Sequence, residues 1–345
     1  MGQSNKVAVC IPTYFGSAIL KETIDSLLKQ TFQNFVVYIS DDTPPSALEE
    51  LDKTEKLIES YHDKRFQYRA NETNLGYPLN LIGLVDWSQE DFIFLLAQDD
   101  ILSEVAIEAC LLCFEERPEI GAVARPYFWF QEHLSEPVRQ IHKLSGHRPH
   151  FLESNSDIND LLHVLVSVSQ LTGLMYRRSK LTVPFVNSVF PAHIYPFAGA
   201  LRDHGVAFLP FHTVAVSIQH SQTRTVSSIY EESPAQAWVD MYKSVFGDPK
   251  YSGIMNAGIR DHMGMNYIGL VQIRSYGKFK YFIRECRLML RLRPKNWISL
   301  KFWFSVTALT ILPRRLIQQI VDQFKEKILS RTLTNSRLAT IDDLW

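Results

Sequence analysis

Cysteine is scarce in this sequence: four in 345 residues, at Cys10, Cys110, Cys113 and Cys286. Cys110 and Cys113 form a CxxC inside an apolar helical stretch. No second Cys/His pair lies nearby, so apolar packing is expected rather than a metal or redox centre. A membrane-spanning helix is also missing. Trp297–Leu312 is largely apolar but runs to only 16 residues and carries Lys301, short of the roughly 20 a span requires. The opening MGQSNKVAVCIPTYFG lacks the apolar core of a signal peptide, and Lys6 occupies the position where myristoylation wants Ser or Thr. These absences point to a cytoplasmic protein. Neither an internal repeat nor a low-complexity tract is present.

Net charge is nearly absent too, at -1, but the balance is uneven. Residues 260–331 hold fifteen Lys/Arg against four Asp/Glu, about +11, which leaves about -12 for the rest. Such splitting points to an anionic partner for the C-terminal part. No recognised nucleic-acid module accompanies the charge, so nucleic acid is set aside. The mixture of Trp, Phe and Leu with Lys and Arg suits an amphipathic helix lying on an anionic membrane surface, peripheral on its inner face. A helical cap packed on the core, with a basic outer face, accounts for the same pattern.

What is present is an alternation of strand and helix over the first third. Apolar runs predict strands at Val7–Ile11, Phe35–Ser40, Phe66–Arg69 and Phe92–Ala97. Helices are predicted over Ser17–Gln30 with Ser17 as N-cap, and from a Ser46/Glu49 capping box. Two more follow, over Pro78–Trp87 and from a Ser103 cap to about Glu116. Such alternation implies a mostly parallel sheet with helices on both faces. Strand-like pieces continue at Gly121–Arg125, Leu174–Tyr176, Val206–Leu209 and Val214–Gln219, and the chain from about Pro234 reads as helical.

Ligands of such sheets bind beyond the carboxyl ends of the strands. Two acidic pairs, Asp41-Asp42 and Asp99-Asp100, fall at such ends. One carboxylate of a pair can reach a divalent cation and the other a ribose or sugar hydroxyl. Mg²⁺ and Mn²⁺ favour such hard oxygen ligands, and Mg²⁺ typically takes one or two carboxylates plus substrate phosphates. A carboxylate of the other pair can accept an N–H of a base such as uracil. In isolation, Asp99-Asp100 reads more readily as a solvated turn that also caps the helix at Ser103, and Asp41-Asp42 as a turn acid before Pro44-Pro45.

The segment VAVCIPTYFGSAILKETIDSLLKQTFQNFVVYISDD resembles the start of family 2 glycosyltransferases with the GT-A fold. NETNLGYPLN and DFIFLLAQDDIL resemble the family's Asn-x-Gly segment and its Asp-x-Asp-type metal motif. The similarity runs in order over about residues 7–130. It implies an α/β GT-A fold, a mostly parallel central sheet flanked by helices, with a helical C-terminal extension. The implied divisions are 1–120 for donor binding, 121–232 for acceptor binding and 233–345 for the basic helical region. Carried over, the resemblance places Pro12, Tyr14, Asp42, Asn74, Gly76, Asn80 and Asp99 at the nucleotide-sugar, and Asp100 on the metal, Mn or Mg. His220, in VAVSIQHSQTRTVS, would complete the metal or diphosphate site, and Arg224 would neutralise phosphate charge; a capped strand end and a solvated loop arginine are the plainer readings.

The family's acidic base falls here on His193-Ile194, so His193 is the implied base, with Asp203 the nearest carboxylate; His193 also reads as a packing histidine. The implied reaction is inverting transfer of a sugar from a UDP- or dTDP-linked donor to a glycan or lipid-linked acceptor, in surface polysaccharide synthesis. The missing Glu-Asp pair prompts the alternative of a catalytically impaired nucleotide-sugar binding or scaffold protein. A receiver-like signalling domain explains neither the length nor the Asn-x-Gly segment.

Overall fold

The structure, a computed structural model, describes residues 6–131, 133–219, 227–324, 333 and 336–345. Its centre is an eight-stranded sheet in the order β3-β2-β1-β4-β10-β6-β11-β9. These strands are β1 (Val7–Thr13), β2 (Phe35–Asp41), β3 (Phe66–Ala70), β4 (Phe92–Leu95), β6 (Ala122–Ala124), β9 (His150–Leu152), β10 (Met175–Arg177) and β11 (Val206–Phe208). β3, β2, β1 and β4 form a parallel block, whereas β10 runs antiparallel to both β4 and β6. A smaller sheet, β5-β12-β7-β8, comprises Ile101–Leu102, Val214–Ser217, Tyr127–Phe130 and Pro137–Gln140.

Alternation along β1 explains the layering. Val7, Val9 and Ile11 face one apolar core with α1 (Leu20–Leu28) and α4 (Ala106–Glu116). Ala8 and Cys10 face the other, with α3 (Tyr77–Trp87), α5 (Ile158–Ser167) and α6 (Ile194–Asp203). A strand buried on both faces needs apolar residues at every position, hence the unbroken run that marks it. Cys110 and Cys113 pack in the first of these cores, where burial raises both thiols. They are plain packing residues, as their isolation in the sequence implied.

The expected helix caps are corrected. α1 begins at Leu20, and Ser17 instead gives its hydroxyl and its amide to Glu50. Glu50 lies on α2 (Leu48–Glu59), whose N-cap is Ala47, not Ser46. Glu49 turns outward to Lys53. α4 starts at Ala106 because β5 pairs with β12 and draws Ser103 to the sheet edge, where its amide donates to Thr213. For Ser17 a tertiary partner outcompetes the local cap, whereas Glu49 pairs along its own helix.

Among the described residues six α-helices follow β12: α7 (Pro234–Phe246), α8 (Ser252–Ala257), α9 (Tyr267–Tyr276), α10 (Phe279–Leu292), α11 (Leu300–Ile311) and α12 (Arg314–Phe324). α9 to α12 build a third apolar core around Phe282, Met289 and Phe302. The last described stretch returns to the sheet: the Ala339 amide donates to His212 O, and the Trp345 indole donates to Glu116. That return was not expected of a C-terminal region read as mostly helical.

Candidate active site

In-register pairing of β1 with β2 sets Thr13 opposite Asp41, so both strands end at one edge. The carboxyl end of β4 lies beside them, since Leu95 pairs with Cys10 and the Leu96 amide continues onto Cys10 O. Here a cleft of about 600 Å³ opens, lined by Pro12, Tyr14, Asp42, Asn74, Gly76, Asn80, Asp99, Asp100 and His193, among others. The topology therefore brings together nine of the twelve residues singled out in the sequence.

Asp42 is buried and organises the Asn74–Gly76 turn at the cleft. Its carboxylate accepts the amides of Leu75 (2.7 Å) and Gly76 (2.8 Å) and the Asn71 side chain (3.0 Å). Its carbonyl accepts the Asn74 amide group at 2.7 Å. Gly76 has φ of +78°, a conformation that favours glycine, and it starts α3. Asn80 is on the cleft wall, but its amide is engaged by Ser40 O (2.9 Å) and by Asn71 (3.1 Å). It fixes the turn rather than projecting from it.

The Tyr14 backbone is clamped by Gln98, which accepts from its amide and donates to its carbonyl, each at 2.9 Å. Thr23 ties α1 to the same loop through Gln98 O (2.8 Å) and Asp100 O (2.9 Å). Asp100 is buried. Its Oδ2 accepts from Gln170 (2.9 Å) and Thr172 (2.5 Å), and its Oδ1 from the Ser217 amide (3.0 Å). Burial, reinforced by Asp99, pushes this carboxyl well above the usual range. Beneath it lies Arg125, fully buried, holding Gln170 O at 2.8 Å; burial lowers the guanidinium to about 10. Gly173 (φ +79°) admits that side chain, since a Cβ there would sit 2.9 Å from Arg125 Nε.

Gln98, Gln170, Thr172 and Arg125 were missed in the sequence. Gln98 stands inside the quoted DFIFLLAQDDIL segment, directly before the acids; Gln170 and Thr172 belong to no local pattern and meet Asp100 across some seventy residues.

His193 is buried in the cleft floor with both ring nitrogens engaged. Nε2 faces Val168 O at 2.9 Å, and a carbonyl only accepts, so Nε2 carries the proton. Nδ1 then accepts from the Tyr77 hydroxyl at 2.8 Å. Burial lowers the imidazole to about 4. Its one lone pair is thus already taken. Asp203 is at the far end of α6, bonded to Arg202 and Thr182, and does not line the cleft. His220 and Arg224 lie outside the described residues.

The opposite wall is aromatic and apolar. Trp129 carries Arg139 stacked 3.5 Å from its ring centroid, and Phe190, Ile268, Val271 and Tyr276 continue the wall. No carboxylate lines the cleft from the acceptor side among the described residues.

Residues 8–181 match the family model described as glycosyl transferase family 2. The chain belongs to that family. An uncharacterized glycosyltransferase of Rickettsia typhi is 32% identical over 102 residues, 30% of either chain. One of Methanocaldococcus jannaschii is 26% identical over 172 residues, 48% of this chain and 58% of that one. The chain thus matches from under a third to somewhat over half the length of these curated relatives. Among solved structures, S. aureus TarS 1–349 in complex with UDP-GlcNAc is similar with a TM-score of 0.61 and 14% identity, covering 95% of this chain and 90% of that one. The mannosyltransferase PcManGT of Pyrobaculum calidifontis, in complex with GDP-Man and Mn²⁺, is similar with a TM-score of 0.51 and 12% identity, covering 95% and 82%. At these identities the likeness speaks for fold, and the GT-A fold of this family 2 chain is the one its sequence implied.

Proposed function

We propose that this family 2 protein transfers a sugar, with inversion, from a UDP- or dTDP-linked donor to a hydroxyl of a glycan or lipid-linked acceptor. One observation carries the reading: Asp42 and Asp99-Asp100, from separate strands, meet in one cleft at the sheet's carboxyl edge. That TarS and PcManGT were solved with nucleotide-sugars supports it. Residues 1–120 serve the donor and 121–232 the acceptor.

In this reading the base and ribose lie along Tyr14, Asp42 and the Asn74–Gly76 turn, and Asp99 meets the ribose or donor sugar. The donor set at Asp100 suits a hard divalent cation. Burial first, and the neighbouring Asp99 second, hold the Asp100 carboxyl well above its usual range, and a cation at the pair would favour the ionised form against both. Among the described residues no group of three or more His, Cys, Asp or Glu is arranged as a metal site, so diphosphate oxygens would supply the remaining ligands. When bound, Mn²⁺ or Mg²⁺ acts as a Lewis acid toward the leaving diphosphate. The chain itself orients the donor and excludes water along the aromatic wall, so that the acceptor oxygen approaches the face opposite the diphosphate.

Calorimetric titration with UDP, dTDP and GDP and their sugars, with and without Mn²⁺, tests this. Binding of a uracil or thymine nucleotide that tightens with Mn²⁺ is expected; no binding of any nucleotide in either condition sinks it. The engaged lone pair of His193 favours a second reading, a nucleotide-sugar binding protein without turnover. Release of nucleotide from the bound sugar donor in the presence of acceptor separates the two, because a scaffold releases none.

A further inference from the structure

The C-terminal helices present a surface that the cleft does not explain. α11 buries Phe302 and Leu309 against the third core, yet most of its remaining side chains are apolar as well. A helix that is apolar all round and covered on one side only leaves a greasy face outward. Leu300 is 88% exposed and Phe304 77%. The turn before the helix adds Ile298, 85% exposed, and Trp297, 61% exposed. The Trp297 and Trp303 rings stand 6.4 Å apart, and the Trp303 indole donates to Trp297 O, which fixes the turn against the helix. Farther on, Ile311 and Leu316 are exposed too. Clusters of this kind on a soluble surface mark interaction sites.

Charge names the partner. Residues 278–316 contain ten Lys/Arg and a single acid, Glu285. Glu285 is buried and bonded to Arg284 and to the Ala235 amide, so this stretch shows no carboxylate to solvent. Lys295 and Lys301 flank the exposed tryptophan and isoleucine in the chain, and Arg314 and Arg315 follow Ile311. Cations around an apolar, tryptophan-bearing face complement anionic lipid headgroups over an acyl boundary. α11 has 12 residues, about 18 Å of helix, and no described helix is long and apolar enough to cross a bilayer.

We infer that the face formed by Trp297, Ile298, Leu300, Phe304 and Ile311 docks on an anionic membrane and brings the cleft to an acceptor carried on lipid. α9 makes the link: it packs against α11 and α12 while Val271, Gln272 and Tyr276 on the same helix line the cleft. The lipid-borne acceptor rests on the transferase reading; the docking face does not.

Sedimentation of the full chain with vesicles tests it, using phosphatidylcholine alone and phosphatidylcholine with an equal part of phosphatidylglycerol. Binding is expected only to the mixed vesicles and to weaken with salt. Combined Ile298→Glu, Leu300→Glu and Phe304→Glu should weaken it by at least about tenfold, as should Lys295→Gln with Lys301→Gln to a smaller extent. These positions are exposed, so unchanged far-ultraviolet circular dichroism and thermal unfolding of both variants certify the fold. Equal binding of wild type and the triple variant overturns the docking face. So does a shift of the triple variant from dimer to monomer in analytical ultracentrifugation, which would assign the face to a second copy of the chain. A chain that binds mixed vesicles but no nucleotide keeps the docking face and removes the transferase reading.

Discussion

The two walls of the cleft are built on different terms. On the wall that the proposed reaction gives to the donor, polar groups stand at the ends of adjacent parallel strands and are held by short hydrogen bonds from neighbouring loops, as Asp42 is by the Leu75 and Gly76 amides. On the wall it gives to the acceptor, aromatic and apolar side chains between Trp129 and Tyr276 predominate beside Arg139 and Gln272, and the buried His193 is locked by Tyr77 and Val168. The difference separates two tasks. A nucleotide diphosphate needs charge and fixed dipoles, which must be oriented before it arrives. An acceptor held by shape and stacking needs area.

If that contrast is sound, disturbing the donor wall should cost most. Asp100→Asn should lower turnover by roughly 10²–10³-fold, the usual loss when one oriented electrostatic group is removed. The variant keeps the volume that Gln170 and Thr172 enclose. Steady-state nucleotide release reads the effect, and a variant as active as wild type would erase the contrast.

Acid should act next, through the other wall and the core behind it. His193, His212 and His262 are each lowered to about 4 from 6.5, chiefly by burial. The unfolded chain therefore binds more protons than the folded one between those values. Stability from these groups is full above pH 6.5 and is lost as pH falls toward 4, by up to about 3 kcal/mol for each. Urea unfolding at stepped pH should show this slope, and His262→Gln should make it shallower by about one proton.

Asp42→Ala should cost about 1–3 kcal/mol, because the Leu75 and Gly76 amides lose their acceptor. It should also weaken UDP binding, which calorimetry measures alongside chemical denaturation. The smallest effect is expected at Asp203. It is outside the cleft, so Asp203→Asn should leave turnover within about twofold. A large loss there would return Asp203 to the reaction and redraw the acceptor wall.

The same contrast governs what could be read from sequence. The donor wall is written in short segments, each an apolar strand followed at once by its acids, so strand period and motif coincide. The parallel block and the meeting of both acidic pairs follow from that. Asp100's surroundings do not: Gln170, Thr172 and the Ser217 amide arrive from distant segments, and Arg125 beneath them carries no local mark. His193 lines the cleft, but its tautomer and lone pair are set by Tyr77 and Val168, which no local pattern around it shows. Asp203 was placed by proximity in sequence, yet ten residues of helix carry it about 15 Å away. The caps failed for a related reason, with Ser17 captured by Glu50.

The return of Ala339 to His212 and of Trp345 to Glu116 has a mechanical meaning. The helices between β12 and this return are anchored at two points of the same body, like a handle rather than an arm. Peeling the handle away would require breaking the anchor at Trp345 as well as the packing of α9, which makes departure of this region a cooperative event instead of a gradual fraying.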